Sequence, residues 1–102
     1  MSDESQARPR VVLTRRWPAA VDALIAERFD ASFNLGDVPM SQAELAAALA
    51  SADALCPTVT DALGPELLSA AGVRTRLIAN FGVGFNHIDL AAAATAGIAV
   101  SN

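Results

Sequence analysis

The stretch that decides the fold is Arg76–Asn102, which reads RLIANFGVGFNHIDLAAAATAGIAVSN. An apolar run, Leu77–Asn80, leads into a Gly-Val-Gly turn and an alanine-rich segment, and a second apolar run follows at Ile98–Ser101. This pattern predicts strand, short helix and strand in that order. Glycine at Gly82 and Gly84 lets a ligand approach the backbone closely, and a helix start behind such a turn favours an anion. The segment therefore predicts an anion-binding turn at the carboxyl edge of a parallel sheet.

The same alternation of strand and helix extends towards the N-terminus. Further short apolar runs begin roughly 20 residues apart, which leaves room for one helix between each pair; these runs are Val11–Thr14, Ala31–Leu35 and Ala54–Cys56. The chain is therefore predicted to be an α/β protein with a parallel sheet, ordered β-α-β-α-β-α-β-α-β, with five strands and four helices. Because no helix follows the last strand, we expect one sheet face to be partly bare and the domain to be incomplete at its C-terminus.

Each predicted helix has a start signal. Pro18 suits the first turn of the first helix, and Ser41 and Glu44 form a capping box for the second. Pro65 follows Gly64 in the third, and Asn86 with Asp89 could cap the fourth. The predicted inward-facing residues are Val21, Leu24, Ile25, Phe29, Leu45, Ala48, Leu49, Leu67, Leu68 and Ala71, and the predicted helix ends are Gly72 and Gly97.

Composition excludes several classes of protein. A net charge of −4 over 102 residues argues against a nucleic-acid partner, which requires a basic face. No apolar run reaches the roughly 18 residues of a membrane span, and residues 1–9 form a polar, flexible N-terminus without the apolar core of a signal peptide. Cys56 is the single cysteine, so we expect an inert buried thiol and no metal site. The chain is predicted to be cytoplasmic.

Two segments resemble one enzyme family. They are Val11–Leu24, VVLTRRWPAAVDAL, and Leu77–Asn102. Together they are similar to the N-terminal part of the D-isomer-specific 2-hydroxyacid dehydrogenases, most of all to glyoxylate/hydroxypyruvate reductases. The resemblance implies that residues 10–102 are the N-terminal part of a flavodoxin-like substrate (catalytic) domain. In this family a returning C-terminal helix completes that domain, and the NAD(P)-binding domain, absent from these residues, lies between the two parts.

The resemblance also implies a function. Members of the family reduce small 2-keto acids such as glyoxylate and hydroxypyruvate to D-2-hydroxy acids with NADH or NADPH, and the complete enzyme is expected to be a homodimer. Their catalytic Arg, Glu and His belong to the nucleotide domain, so we expect no catalytic and no cofactor-binding residue in this chain, which alone should be inactive. The matching substrate-binding positions are the backbone amides of Val83 and Gly84, with Thr58 in the loop after the third strand.

Other interpretations of the glycine turn remain open. The turn begins like a dinucleotide fingerprint, but His87 stands at the third glycine position and no acidic residue ends the following strand. A tight strand-to-helix turn without a ligand is also compatible with the sequence. We expect a structural role for His87, in the first turn of the fourth helix, because a helix N-terminus disfavours a protonated imidazole.

A second function class is a stand-alone flavodoxin-like binding or receiver module. A receiver needs paired acidic residues after the first strand, where this chain has Thr14-Arg15-Arg16, and Asp61 after the third strand lacks acidic partners. A flavin site would need a phosphate loop rich in serine and threonine after the first strand. Arg15 and Arg16 either steer an acidic substrate or are ordinary surface residues.

Overall fold

The computed structural model describes residues 8–81 and 84–101. It contains five strands and four helices that alternate along the chain, as the sequence predicts. The elements are β1 (Arg10–Leu13), α1 (Ala19–Arg28), β2 (Asp30–Ser32), α2 (Gln42–Ser51), β3 (Ala54–Cys56), α3 (Pro65–Leu68), β4 (Leu77–Ala79), α4 (Leu90–Thr95) and β5 (Ala99–Ser101).

All five strands are parallel and lie in the order β2-β1-β3-β4-β5. Val12 of β1 is central, because it pairs with Ser32 on one side and with Leu55 on the other. The strand order reverses between β1 and β3, and open α/β sheets commonly bind ligands beyond the carboxyl ends of the strands at such a switch point. The predicted α/β fold with a parallel sheet is confirmed.

The larger core lies on the face of the sheet that carries α2, α3 and α4. Val12, Leu55 and Ile78 point to this face and pack against buried Leu45 and Leu49 of α2. Further buried members are Ala48, Ala52, Leu63, Leu68, Ile88, Ala93 and Ile98. Successive strand side chains alternate between the faces, so Val11 and Leu13 point away from this core.

Among the described residues, α1 is the one helix that covers the opposite face. Val11, Leu13 and Cys56 form a small second core with Ile25 of α1 and with Phe29, which follows the helix. Beside this core lies an apolar cleft of about 420 Å³, lined by Pro9, Val11, Trp17, Ile25, Phe29, Asp53, Ala54, Cys56, Leu77 and Ala79. Leu77 of β4 remains 39% exposed. The partly bare sheet face expected from the sequence is present among the described residues.

Two predicted helical faces differ from the structure. Leu24 in α1 is 51% exposed, so the inward stripe of that helix is narrower than its spacing suggests. The third helix ends at Leu68, before Gly72, and Ala71 is exposed. The Ser69 hydroxyl donates to the carbonyl of Pro65 at 2.6 Å, and a side chain that bonds the carbonyl four residues back competes with continuation of the helix. Gly72 has φ +90° and belongs to the turn that follows.

Among the helices described here, none combines the length and the apolar character that a membrane crossing requires.

Candidate functional site

Three loops meet at the carboxyl edge of the sheet, after β1, β3 and β4. The loop after β3 is joined to the chain after β4 by a parallel bridge between Thr58 and Phe81, and the Phe81 amide donates to the carbonyl of Pro57 at 2.9 Å. A second bridge joins Leu63 to Ile88. The loop after β3 is therefore paired with the chain after β4 on both sides of the glycine turn.

Asp61 is the central polar residue of this edge, and it is 1% exposed. Its Oδ2 atom accepts hydrogen bonds from the Thr14 hydroxyl and from the Thr58 amide, the latter at 2.9 Å. Oδ1 is buried and has no partner among the described residues. Because Thr14 follows β1 and Thr58 follows β3, this one carboxyl group joins the ends of the two strands at the switch point.

Thr58, one of the predicted substrate-binding residues, lies on this surface and is half-buried. Its hydroxyl is 2.9 Å from the hydroxyl of Thr60, which accepts a bond of 3.3 Å from Nη1 of Arg15. The backbone pairing with Phe81 places Thr58 beside the residue that precedes the glycine turn. The structure therefore places Thr58 beside Phe81 at the carboxyl edge of the sheet.

The arginines that follow β1 are engaged in local ion pairs. The Nε atom of Arg15 lies 3.0 Å from Oδ1 of Asp37, and the same oxygen accepts the Arg16 amide at 2.9 Å. The Arg16 amide first, and the Arg15 guanidinium second, hold the pKa of the Asp37 carboxyl below its ordinary value. Arg16 also pairs with Asp22 at 3.5 Å. A carboxylate of the chain itself therefore already neutralises Arg15.

The predicted anion-binding turn is described at Gly84, whereas Gly82 and Val83 lie outside the described residues. Gly84 is exposed, its φ does not lie in the left-handed region, and a Cβ added there would meet nothing within 4 Å. Neither backbone conformation nor packing within the described residues therefore requires glycine at Gly84. The space that a methyl group would fill is available to a ligand that approaches the backbone.

The fourth helix begins later than the sequence predicts. Its N-cap is Asp89, whose carboxylate accepts the Ala92 amide at 2.8 Å, and its first helical residue is Leu90. Asn86 is exposed and does not cap the helix, and His87 precedes the helix instead of lying in its first turn. The Asp89 side chain accepts one of the free amides of the first turn, so that amide is not available to an anion. The prediction of anion binding rests on the turn itself.

Asn80, at the end of β4, links the turn to His87. It is 4% exposed, and its Nδ2 atom donates to the carbonyl of Gly84 at 3.0 Å. Its Oδ1 atom lies 2.7 Å from Nε2 of His87. The backbone amide of Asn80 also donates to the carbonyl of Ser101 at 2.8 Å. His87 therefore contacts the glycine turn through a buried side chain.

Within the described ranges, no group of three or more His, Cys, Asp or Glu side chains is arranged to hold a metal ion. Cys56 is buried, and burial raises the pKa of its thiol to about 11. A thiol with so high a pKa is a poor nucleophile at neutral pH, in agreement with the inert role expected from the sequence.

Residues 11–102 match the family model of the D-isomer specific 2-hydroxyacid dehydrogenase catalytic domain. The glyoxylate reductases of Korarchaeum cryptofilum and Aeropyrum pernix are 32% and 36% identical over 95 and 96 residues. Each alignment covers 93% of this chain and 28% of the relative, so the chain spans just over a quarter of the length of these curated relatives.

A solved structure shows the same architecture. The crystal structure from Polaromonas sp. JS6 66 described as a D-isomer specific 2-hydroxyacid dehydrogenase, NAD-binding, superposes with a TM-score of 0.82 at 34% identity. The superposition covers 91% of this chain and 29% of the other. The chain belongs to the D-isomer specific 2-hydroxyacid dehydrogenase family, and it corresponds to part of the catalytic domain of that family.

Proposed function

We propose that this chain supplies the substrate-carboxylate half of the active site of an NADH- or NADPH-dependent enzyme that reduces small 2-keto acids, such as glyoxylate and hydroxypyruvate, to D-2-hydroxy acids. The observation that carries the proposal is the open, exposed Gly84, which the described fold does not itself require to be glycine. Membership of the dehydrogenase family and the similarity to two glyoxylate reductases support it.

In the proposed reaction, the backbone amides of Val83 and Gly84 bind the substrate carboxylate. An anion on adjacent backbone amides is held without a charged side chain, which suits a substrate that must be released after reduction. Thr58 forms the neighbouring wall, because it pairs with the residue that precedes the turn. Binding of the carboxylate orients the keto carbon, so that hydride transfer to this carbon takes place between positioned groups.

The nicotinamide cofactor supplies the hydride. We place its binding site, and the acid–base groups that act on the keto oxygen, in a part of the protein outside this chain, since His87 replaces the third glycine of a dinucleotide fingerprint here. The chain alone is then inactive. We further propose that the complete enzyme is a cytoplasmic homodimer that binds neither membranes nor nucleic acid.

We also propose that the apolar cleft beside α1 is covered in the complete protein by a helix from beyond this chain. The cleft exposes Leu77 next to Ile25 and Phe29, and a sheet face of this kind is normally covered by helices in α/β proteins. The resemblance to the dehydrogenases implies that this helix returns from the C-terminal part of the protein. Residues 10–102 would then be the first part of the substrate domain.

Substituting Gly84→Ala in the complete enzyme tests the carboxylate site. The added methyl group meets no protein atom among the described residues, so it should leave stability unchanged and obstruct only the ligand. We expect the KM for the 2-keto acid to rise by about tenfold or more, because the carboxylate is pushed away from the amides. The measurement is steady-state reduction of glyoxylate and hydroxypyruvate with each nicotinamide cofactor.

The matched control is Gly64→Ala, since Gly64 likewise has no atom within 4 Å of an added Cβ and its φ is not in the left-handed region. This variant should retain the KM of the unaltered enzyme. Equal KM values for the keto acid in Gly84→Ala and the unaltered enzyme would refute carboxylate binding at Gly84. Failure of the unaltered enzyme to reduce any small 2-keto acid would refute the proposed reaction itself.

A further inference from the structure

The polar link from Asn80 to Gly84 and His87 has no part in the reaction proposed above. Asn80 is almost fully buried, and both polar atoms of its side chain are used within the segment 80–87. We propose that Asn80 and His87 are positioning residues that hold Gly84 in the conformation that receives the substrate carboxylate.

The hydrogen bonds determine the orientation of both side chains. The carbonyl of Gly84 can only accept, so the Asn80 atom that faces it at 3.0 Å must be the Nδ2 donor. The other side-chain atom, Oδ1, is then an acceptor that faces Nε2 of His87 at 2.7 Å. His87 must therefore carry a proton on Nε2, in either the neutral or the protonated ring. The polar groups form one ordered chain of donors and acceptors from His87 to the turn.

The ends of the segment are fixed by other bonds. At its start, the Phe81 amide donates to the carbonyl of Pro57 at 2.9 Å, and at its end the carbonyl of His87 accepts the Leu63 amide at 2.7 Å. Both anchors belong to the loop after β3. The Asn80 side chain donates to the Gly84 carbonyl between these two anchors, and so it restrains Gly84, which neither anchor contacts.

Restraint of this kind matters for affinity because a backbone site binds well only when its amides already point to the ligand. The inference rests on the proposed function, since it assumes that the turn binds a carboxylate. Loss of the restraint should weaken carboxylate binding in the ground state and the transition state alike. Such a loss raises KM and leaves kcat nearly unchanged.

The test uses the complete enzyme and two pairs of variants. Asn80→Ala removes both bonds, and Asn86→Ala is its control, because Asn86 is exposed in the same segment. His87→Leu removes the donor to Asn80, whereas His87→Gln keeps an N–H group near the position of Nε2. The measurements are KM and kcat for glyoxylate, KM for the nicotinamide cofactor, and the thermal midpoint of each variant.

We expect Asn80→Ala and His87→Leu to raise the KM for glyoxylate about tenfold, with kcat within about twofold and the cofactor KM unchanged. His87→Gln and Asn86→Ala should behave like the unaltered enzyme. If both Asn80→Ala and His87→Leu keep the unaltered KM, or lose only kcat together with thermal stability, the positioning role is wrong although the proposed function stands. If the unaltered enzyme reduces no small 2-keto acid, both the positioning role and the proposed function are wrong.

Discussion

A single buried carboxyl group organises much of the candidate site. Asp61 accepts bonds from the Thr14 hydroxyl and the Thr58 amide, and it does so in a position that is almost closed to solvent. Hydrogen-bond donors in such a position are costly to leave without a partner. Asp61 therefore holds the Thr58 loop against the end of β1.

Replacing Asp61 should destabilise the protein more than replacing the residue that bonds to it. Asp61→Ala leaves two buried donors without an acceptor and should lower the free energy of unfolding by about 2 to 3 kcal/mol. Thr14→Val keeps the shape of the side chain but removes one bond, and it should cost about 1 kcal/mol. Urea unfolding of both variants and of the double variant measures the coupling. Effects that simply add in the double variant would contradict a direct bond between the two side chains.

Some residues of the candidate site can be predicted from the sequence, and others depend on the fold. Gly84 and Thr58 could be named because a glycine turn after a strand and a family resemblance both leave a mark on the sequence. Thr14, Asp61 and Asn80 act through burial at strand ends, and burial depends on which loops the fold brings together. A threonine or asparagine that ends an apolar run is the one signal that could have drawn attention to Thr14 and Asn80.

At the scale of elements, the local sequence signal for the start of α2 predicted the helix cap correctly. The capping box of α2 is present as predicted: the Ser41 hydroxyl accepts the Glu44 amide at 3.1 Å, and Glu44 accepts the Ser41 amide at 2.8 Å. The α2 helix carries Leu45 and Leu49, which are fully buried in the larger core. The cap therefore fixes the start of a helix on which the packing of that core depends.

Removing this cap gives a prediction for the element. Ser41→Ala should lower the free energy of unfolding by about 1 kcal/mol, because the Glu44 amide loses its acceptor. Ser51→Ala at the other end of α2 is the control, since the Ser51 hydroxyl bonds only to carbonyls of the preceding turn, and it should change stability by less than about 0.5 kcal/mol. The free energy of unfolding of both variants is measured by thermal or urea unfolding. Equal decreases for Ser41→Ala and Ser51→Ala would contradict a stabilising role of the cap.

Helix boundaries were predicted less well than helix existence. The third and fourth helices are shorter than their sequence patterns suggest, with bounds of Pro65–Leu68 and Leu90–Thr95. In both places a side chain competes for backbone groups, the Ser69 hydroxyl at the end of α3 and the Asp89 carboxylate at the start of α4. Asn86 and Asp89 are both good capping residues, and only the anchoring of the segment 85–89 on Leu63 selects Asp89.

For the whole molecule, the main feature is the unequal covering of the two sheet faces. One face is packed by three helices, and the other leaves the apolar cleft beside α1. Sequence spacing predicted this asymmetry, because four helices follow the first four strands and none follows the fifth within the chain. The sequence spacing could not predict the cleft itself, because the shape of the cleft depends on how α1 lies across β1 and β3.

The exposed cleft predicts the behaviour of the 102-residue chain when it is produced alone. We expect this chain to bind a hydrophobic dye, to self-associate and to show no hydride transfer to 2-keto acids. Leu77→Gln should reduce dye binding, whereas Leu24→Gln, an exposed leucine that does not line the cleft, should not. Dye fluorescence measures the dye binding, and sedimentation measures the self-association. A monomeric chain that binds no dye would show that the cleft is not an exposed binding surface.

The link between Thr14 and Asp61 also has a consequence for where a ligand enters. In many sheets with this strand order the crevice between the two central strands receives the phosphate of a nucleotide or flavin. Here the side chains of Thr14 and Asp61 occupy the crevice, where Thr14 is fully buried and Asp61 is 1% exposed. Access is left to the neighbouring position, above β4, where Gly84 is open. A phosphate at this crevice would have to displace the hydrogen bond between Thr14 and Asp61, whereas a ligand above β4 would not.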